Sequence, residues 1–572
     1  MNAMQVEERR NALQNKFPVW PNQTLSAHFA DQAKRYASRP LLITEKASIT
    51  YEEIWREGQR YAKALIELGV RRREHVAIIM ASEPEAIFLM LGVWLIGAVC
   101  VPINTMLRDQ EVKYLLEQSD SHWLFMHQIA SGVLHAKNVA QMLDDLSKVK
   151  RVVCIQNSDG PLDDRFLSWA SFVDMAKRIS DDQLSDCMQQ SKYPSEVADI
   201  IYTSGSTGLP KGVMMTHDMF LRCAYSSALS RAFEDGRRIF TALPLYHVFA
   251  LVEGLLAVSF VGGALIVISG FSPLPALQIM ERHQANDVLC VPSMLVALVN
   301  HPEVGTFDLS SLHALMCAAA PAPVSVWQRA IEVLQLKEIC TGYGGTEATA
   351  ATVHTEVGDP IETVVTRVGR IKPGGSSGIP EFDGANVQYK TVDPDTGEDL
   401  PPGAIGELAV RGNLVTRGYY NKPEETFAVI DKDGWFRSGD LGRIDEHGYI
   451  EMLGRSKDLY KISGENVAPK EVEDVISNHP AVAQAYVVGV KDSITQETGA
   501  AFVELRPGFT CTRREMIEHC QKYLARFKVP RHVWFVQASE WPMTGNGKIQ
   551  KFRLREIAEN RISERGRINE IV

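Results

Sequence analysis

Residues 202–212 read Tyr-Thr-Ser-Gly-Ser-Thr-Gly-Leu-Pro-Lys-Gly and follow the apolar stretch Ala-Asp-Ile-Ile. Gly205 and Gly208 allow successive backbone N–H groups to converge on an anion, the hydroxyls of Thr203, Ser204, Ser206 and Thr207 add donors, and Lys211 adds positive charge. Such a turn suits a polyphosphate. It is not the Walker pattern: counting from Gly205 places Pro210 where the second glycine belongs, so the kinase and GTPase readings lose their main support. Further along stand His247 after Pro-Leu-Tyr, Glu347 in Gly-Gly-Thr-Glu, Asp440 in Ser-Gly-Asp and Lys548 in Gly-Asn-Gly-Lys. Taken singly, several have plain readings: a core histidine, a turn-capping aspartate, a solvated lysine.

The string TSGSTGLPKG resembles the signature of the acyl-adenylate-forming superfamily, which holds acyl-CoA synthetases, peptide-synthetase adenylation domains and beetle luciferases. The resemblance continues in the family's order over nearly the whole chain. ALPLYHVFA (242–250) is similar to the acyl-pocket segment, with His247 where the family borders the activated carboxylate. Ala318, Ala319, Ala320 and Pro321 resemble the strip along the adenine, and GYGGTEAT (342–349) the segment containing Gly342, Tyr343, Gly344, Thr346 and the magnesium-holding Glu347. WFRSGDLG (435–442) looks like the ribose motif with Asp440, and GRSKD (454–458) like the hinge motif with Arg455 and Lys457. SGEN (463–466) is similar to the loop of the thioester step, with Ser463 and Gly464, and PMTGNGKIQK (542–551) carries the C-terminal Lys548.

This resemblance implies an ATP-dependent acid:thiol ligase. A carboxylate is a poor acyl donor, so the family makes it attack the α-phosphate of ATP, releasing pyrophosphate and leaving a mixed anhydride that coenzyme A then cleaves. Crowding two anions demands pre-aimed cations and N–H groups. Lys548, Lys211 and Mg2+ held by Glu347 and Thr207 would supply them, with Thr203, Ser204, Gly205, Ser206, Thr207 and Gly208 on the β- and γ-phosphates. Tyr343 would flank the adenine and Asp440 would accept the ribose hydroxyls, with Arg455 beside it. Lys548 would occupy the space where the thiol must arrive, and the family resolves this by rotating its C-terminal domain about the position of Lys457, which brings in Ser463 and Gly464. The acid-pocket segment is more similar to medium- and long-chain fatty acyl-CoA synthetases than to peptide-synthetase domains. Gly345 and the small residues 317–320 leave room that an aryl or branched acid would also use. A separate carrier protein as thiol acceptor, a luciferase-like oxidation and a non-catalytic sensor are the competing readings, and a homodimer is the family's expectation.

The elements that must position these residues are legible in outline. The chain has 572 residues, 45% of them hydrophobic and 23% charged, as expected of globular domains with several cores. Its net charge of -10 is spread along the sequence, which excludes a basic face for nucleic acid. Nine cysteines form no CxxC pair, against structural zinc and a disulfide framework, and the charged N-terminus lacks a signal-peptide core, so the cytoplasm is expected. Two apolar stretches, 86–103 and 249–270, read as buried helix, glycine turn and buried strand rather than membrane spans. Repeated helix-then-strand texture from about residue 25 to 371 predicts parallel sheets wrapped by helices, and Gly, Pro and Asp turns between short strands predict a β-rich subdomain over 372–456. The expected fold is α/β: a large N-terminal domain (1–456) of doubly wound sheets plus a β-barrel-like subdomain, and a small mobile α+β C-terminal domain (457–572).

Overall fold

The computed structural model describes residues 3–203, 209–462, 465–492, 495–543 and 549–569. Its centre is a pair of seven-stranded sheets whose first five strands share one order, while the last two come after those five in the chain in one sheet and before them in the other. One runs Leu167–Ser168, Arg151–Ile155, Ser121–His127, His75–Ile79, Val99–Pro102, Val197–Thr203, Lys211–Thr216; the other runs Glu338–Cys340, Ala314–Cys317, Asp287–Cys290, Arg238–Thr241, Ala264–Val267, Pro40–Ile43, Ser48–Thr50. In each sheet the first six strands are parallel and the last closes an antiparallel pair. No internal repeat is legible in the sequence, so this duplication exists in topology alone.

The apolar runs become strands because helices cover both faces of each sheet, leaving no polar side to alternate with. Every residue of Val99–Pro102, Ala264–Val267, Asp287–Cys290 and Ala314–Cys317 is buried. The first span-like stretch is the helix Pro84–Leu95 turning at Gly97 (φ +67°) into Val99–Pro102. A Cβ at Gly97 would lie 2.5 Å from Ser191 Oγ, so this left-handed turn requires glycine. The second stretch is helical over Val248–Ala250 and Ala257–Ser259, separated by a π-helical segment, Leu251–Leu256, which the sequence did not announce. Among the described residues no helix is long and apolar enough to cross a membrane.

The wholly antiparallel sheets begin at Gly342, inside the stretch that sequence texture assigns to the α/β layers. Gly342–Gly345, Ala350–His354 and Arg370–Ile371 form a three-stranded sheet. It is bridged at Gly369 and Ile450 to a four-stranded antiparallel sheet, Val387–Val392, Gly406–Gly412, Phe436–Ile444 and Ile450–Arg455. After the short turn Ser456–Asp458 the chain enters a separate sheet built on the hairpin Val482–Asp492 and Gln496–Leu505. That sheet has its own core of Tyr460, Val472, Ile476, Val487, Val503 and Met516. Arg506 at its edge donates to Ser325 Oγ of the larger body at 2.5 Å.

Strand Val197–Thr203, which delivers the phosphate-suited turn, is pinned from behind by a buried polar contact. Trp94 Nε1 donates to Asp199 Oδ1 at 2.8 Å, and the Asp199 side chain is fully buried. Burial lifts the Asp199 carboxyl from 3.8 to about 7, against the pull of the Trp94 hydrogen bond. A carboxyl that holds its proton more tightly when folded contributes stability that is complete below the unfolded value and lost as pH rises through the folded one. Comparing thermal melts of the wild type and Asp199→Asn, the balance should move in favour of the variant as pH rises from 3.8 through about 7. Parallel melting curves across that window would show that Asp199 is not protonated in the fold.

Candidate functional site

Strands Val197–Thr203 and Lys211–Thr216 form a hairpin on either side of the phosphate-suited stretch, and their pair Thr203 and Lys211 lies at the carboxyl ends of the parallel strands, where open α/β sheets bind ligands. Ser204, Gly205, Ser206, Thr207 and Gly208 lie outside the described residues. The hairpin's outer edge is covered by residues 416–420. Tyr420 N–H donates to Gly212 O at 2.7 Å, Met214 N–H to Gly418 O at 3.2 Å, and Thr416 Oγ1 to Met214 O at 2.8 Å.

This strap carries Tyr419, which joins two of the sequence-predicted residues. Lys211 Nζ stands 4.8 Å from the centre of the Tyr419 ring, and the Tyr419 hydroxyl donates to Glu347 Oε1 at 2.9 Å. Burial and the adjacent Glu347 charge push the Tyr419 phenol well up, so it stays a donor. Thr416 N–H fixes the Glu347 backbone carbonyl at 2.7 Å. Tyr419 and Thr416 were not singled out in the sequence; the one signal available was the Gly-Tyr-Tyr run at 418–420, which no spacing argument distinguishes from a strand.

A second cluster centres on Asp440, which is 8% exposed. The Tyr343 hydroxyl donates to Asp440 Oδ2 at 2.8 Å, and Arg455 Nε lies 3.0 Å from Asp440 Oδ1. Strand register places Asp440 directly opposite Arg455, so backbone pairing sets the ion pair. Asp440 is the main influence raising the Arg455 pKa, with Tyr343, Asp458 and Glu347 adding to it, so this cluster and the Glu347 cluster share one electrostatic neighbourhood. Each Asp440 oxygen has one partner and a further lone pair, which leaves both able to accept a second donor.

His247 and residues 318–321 follow the strands Arg238–Thr241 and Ala314–Cys317 of the second sheet, again at carboxyl ends. His247 caps the helix after it: Nδ1 accepts from Phe249 N–H at 3.2 Å, so the neutral ring carries its proton on Nε2. Ala319 adopts φ +71° and is exposed with Pro321, while Ala320 is half-buried. Thr349 and Ala350 also lie in the left-handed region, at φ +56° and +68°. Such backbone strain in residues with a Cβ collects at functional sites. Gly344 and Gly345 are exposed, and Gly342, Tyr343 and Glu347 half-buried, along the same open face; Thr346 is buried.

Lys457 lies in the turn Ser456–Asp458 between the two sheet systems. Ser463, Gly464 and Lys548 fall outside the described residues. No cluster of three or more metal-ligating side chains occurs among the described residues. A single half-buried Glu347 still suits Mg2+, which takes one or two carboxylates and completes its shell with substrate phosphates and water. The open groove of about 700 Å3 beside Arg72, Arg73 and Arg417 lies at the amino ends of the first sheet's strands, away from this site.

Residues 29–420 match the family model described as AMP-binding enzyme, and residues 471–548 match the AMP-binding enzyme C-terminal domain. A ligase of Mycobacterium tuberculosis, named for a methyl-dioxo-octahydroindenyl propanoyl group and CoA, is 33% identical over 90% of this chain and 95% of its own length. A mitochondrial medium-chain acyl-CoA ligase of Danio rerio is 29% identical over 92% of this chain and 87% of its own. The ATP-bound crystal structure of MatB from Rhodopseudomonas palustris superposes with a TM-score of 0.77 at 26% identity, covering 93% of this chain and 98% of that one. Tyr343→Phe removes the donor to Asp440 and should lower stability by about 1 kcal/mol in urea unfolding; a change within error would mean that the contact does not persist in solution.

Proposed function

The chain belongs to the AMP-binding enzyme family as an adenylating acid–thiol ligase, and on that premise we propose that it activates a medium- or long-chain fatty acid as the acyl-adenylate and passes the acyl group to coenzyme A. The observation carrying this reading is the shared neighbourhood of Lys211, Tyr419 and Glu347 with Tyr343, Asp440 and Arg455 beside the mouth of the turn-bearing hairpin.

In the first half-reaction an oxygen of the acid bonds to the α-phosphorus of ATP and the bond to pyrophosphate breaks. Asp440 accepts the ribose hydroxyls through its free lone pairs, and the Tyr343 hydrogen bond and Arg455 ion pair stop it from swinging away. Tyr343, Gly342, Gly344 and Thr346 on one side and Ala319, Ala320 and Pro321 on the other flank the adenine. Thr203 and the turn residues Ser204, Gly205, Ser206, Thr207 and Gly208 hold the terminal phosphates. Lys211 stays near them because the Tyr419 ring holds its ammonium group. Mg2+ bound by Glu347 and Thr207 would neutralise phosphate charge. His247 borders the acid carboxylate, with its ring oriented by the Phe249 N–H bond to Nδ1.

In the second half-reaction the thiol sulfur attacks the acyl carbon, its proton leaves and AMP departs. Lys548 serves adenylation and must then clear the thiol's path. We assign residues 1–456 to the adenylate-forming domain, with 1–371 as its α/β layers and 372–456 as its β-rich part, and 457–572 to a lid. The lid turns at Lys457 to replace Lys548 with Ser463 and Gly464. The acid's tail meets apolar surroundings after His247, and the medium-chain name of the Danio relative supports a fatty acid. A ring-bearing acid, as in the Mycobacterium relative's name, is the alternative.

ATP–pyrophosphate exchange over a panel of acids, followed by thioester formation with coenzyme A or a separate carrier protein, tests the assignment. Exchange that depends on a fatty acid and product that requires coenzyme A are expected; exchange with no acid in the panel would overturn it. Lys548→Ala should lose exchange by roughly 100- to 1000-fold while still forming thioester from supplied acyl-adenylate. Equal losses in both steps would remove Lys548 from its adenylation role. Lys457→Pro fixes φ at the turn and should uncouple the two half-reactions; wild-type rates in both would refute the rotation.

A further inference from the structure

Behind the glycine strand of the site lie three ionisable side chains that the adenylation chemistry leaves unused. Gly342 pairs across its hairpin with His354, and a Cβ on Gly342 would sit 2.7 Å from His354 Cδ2, so the imidazole lies directly beneath the strand. His354 Nε2 is 3.4 Å from Glu253 Oε2, and Glu253 Oε1 is 3.4 Å from Lys372 Nζ, with all three side chains at most 2% exposed. Lys372 also donates to Ser227 Oγ at 2.7 Å and Cys223 O at 3.3 Å. Neither His354 nitrogen nor Glu253 Oε2 makes a hydrogen bond of normal geometry among the described residues.

The trio is electrically balanced. Burial, outweighing the nearby Glu253 charge, lowers the His354 pKa to about 4 and keeps the ring neutral. Burial alone would raise Glu253, but the neighbouring Lys372 holds it down to about 2, so a carboxylate faces an ammonium. Glu253 belongs to the π-helical segment Leu251–Leu256, six residues after His247 and so more than one helical turn farther along. π-helical segments are frequent at functional sites. Everything else in Leu251–Leu256 is Leu, Val or Gly, so an ionic group here is costly unless its free valences are met.

We propose that Glu253, His354 and Lys372 form the distal wall of the acid pocket, selecting an acid of medium length whose far end carries a neutral hydrogen-bonding group, a hydroxyl or ketone, over a longer plain alkyl tail. The inference rests on the reading that His247 borders the acid's carboxylate. A plain tail pressed against the trio would leave the buried valences of His354 and Glu253 without a partner, whereas a hydroxyl or ketone meets one of them. A second carboxylate is disfavoured because Lys372 already answers the Glu253 carboxylate and Arg231 is taken up by Asp287 and the Glu253 backbone carbonyl.

The test compares kcat/KM, by ATP–pyrophosphate exchange, for unbranched acids from short to long and for the same acids bearing a hydroxyl or oxo group near the tail end. It is run on the wild type and on the double variant Glu253→Leu with Lys372→Met. Exchanging both charges together leaves no orphaned ion, and apolar replacement of a buried pair is often tolerated. Should the double variant fail to fold in a melting assay, His354→Leu, which removes no charge, provides the same comparison. The wild type should favour the oxygenated medium-length acids, and the variant should shift the ratio toward long plain acids by about tenfold or more. An unchanged ratio in a folded, active variant overturns the proposal, since a purely structural trio would alter all acids alike. A wild type inactive with every acid would instead overturn the ligase reading on which it rests.

Discussion

Backbone hydrogen bonds between residues 416–420 and the edge strand Lys211–Thr216 join the parallel half of the molecule to its antiparallel half at the place where chemistry is concentrated. Without them the edge strand Lys211–Thr216 would leave the outward N–H of Met214 and the C=O groups of Gly212 and Met214 unpaired. With them, the Tyr420 to Gly212 and Met214 to Gly418 bonds fix the strap, and Tyr419 reaches Glu347 with its hydroxyl and Lys211 with its ring. One tyrosine thus holds a carboxylate and an ammonium group at a set separation. In the proposed adenylation that arrangement would be electrostatic preorganisation, with the groups placed before any substrate arrives.

The twin sheets explain why the remaining site residues converge. In both, the parallel strands end on the same kind of edge, and the chain leaves that edge through short segments: residues 204–210 from the first sheet, 242–247 and 318–321 from the second. The antiparallel layer then supplies residues by register. Asp440 and Arg455 face each other because their strands pair there, and Tyr343 reaches Asp440 across the two small sheets that Gly369 and Ile450 bridge. Left-handed backbone at Ala319, Thr349 and Ala350 marks where these segments bend away from regular pairing.

Much of this was legible in the sequence, for definite reasons. Strands such as His75–Ile79 and Ala264–Val267 are short apolar runs between helical stretches, and burial on both faces permits no other pattern. The sequence also singled out Tyr343, Asp440 and Arg455, which the fold brings together, because a proposed ribose-binding aspartate needs particular residue types around it. The duplicated topology was not readable, since two sheets can share strand order while sharing no side-chain requirement. Antiparallel pairing at Gly342–Gly345 was hidden because a Gly-Tyr-Gly-Gly strand has no alternation to detect. Tyr419 was hidden because its role depends on two partners distant in sequence, and Glu253 appeared only as a charge interrupting an apolar helix.

Glu253 gains meaning beside the chain's other buried ionic cluster. Arg231 and Arg237 meet Asp287 at 2.5 and 2.9 Å, Arg237 also reaches Glu234 at 2.8 Å and Glu338 at 3.1 Å, and Arg9 brings the N-terminal helix Ala3–Lys16 to Glu338 at 2.7 Å. There, guanidinium forks provide short, multiple bonds, the geometry in which buried charge is best compensated, and the outcome is mechanical: a helix, a strand end and a loop tied together. In the Glu253 trio the separations are 3.4 Å, the histidine is neutral and polar valences stay idle. Both clusters keep buried oxygens without a hydrogen-bond partner, Asp287 Oδ1 and Glu234 Oε1 in one and Glu253 Oε2 in the other, so what separates them is the longer ionic contacts of the trio. The glycine at position 342, which leaves the imidazole immediately beneath the strand, puts that unfilled capacity next to the site rather than deep within the fold.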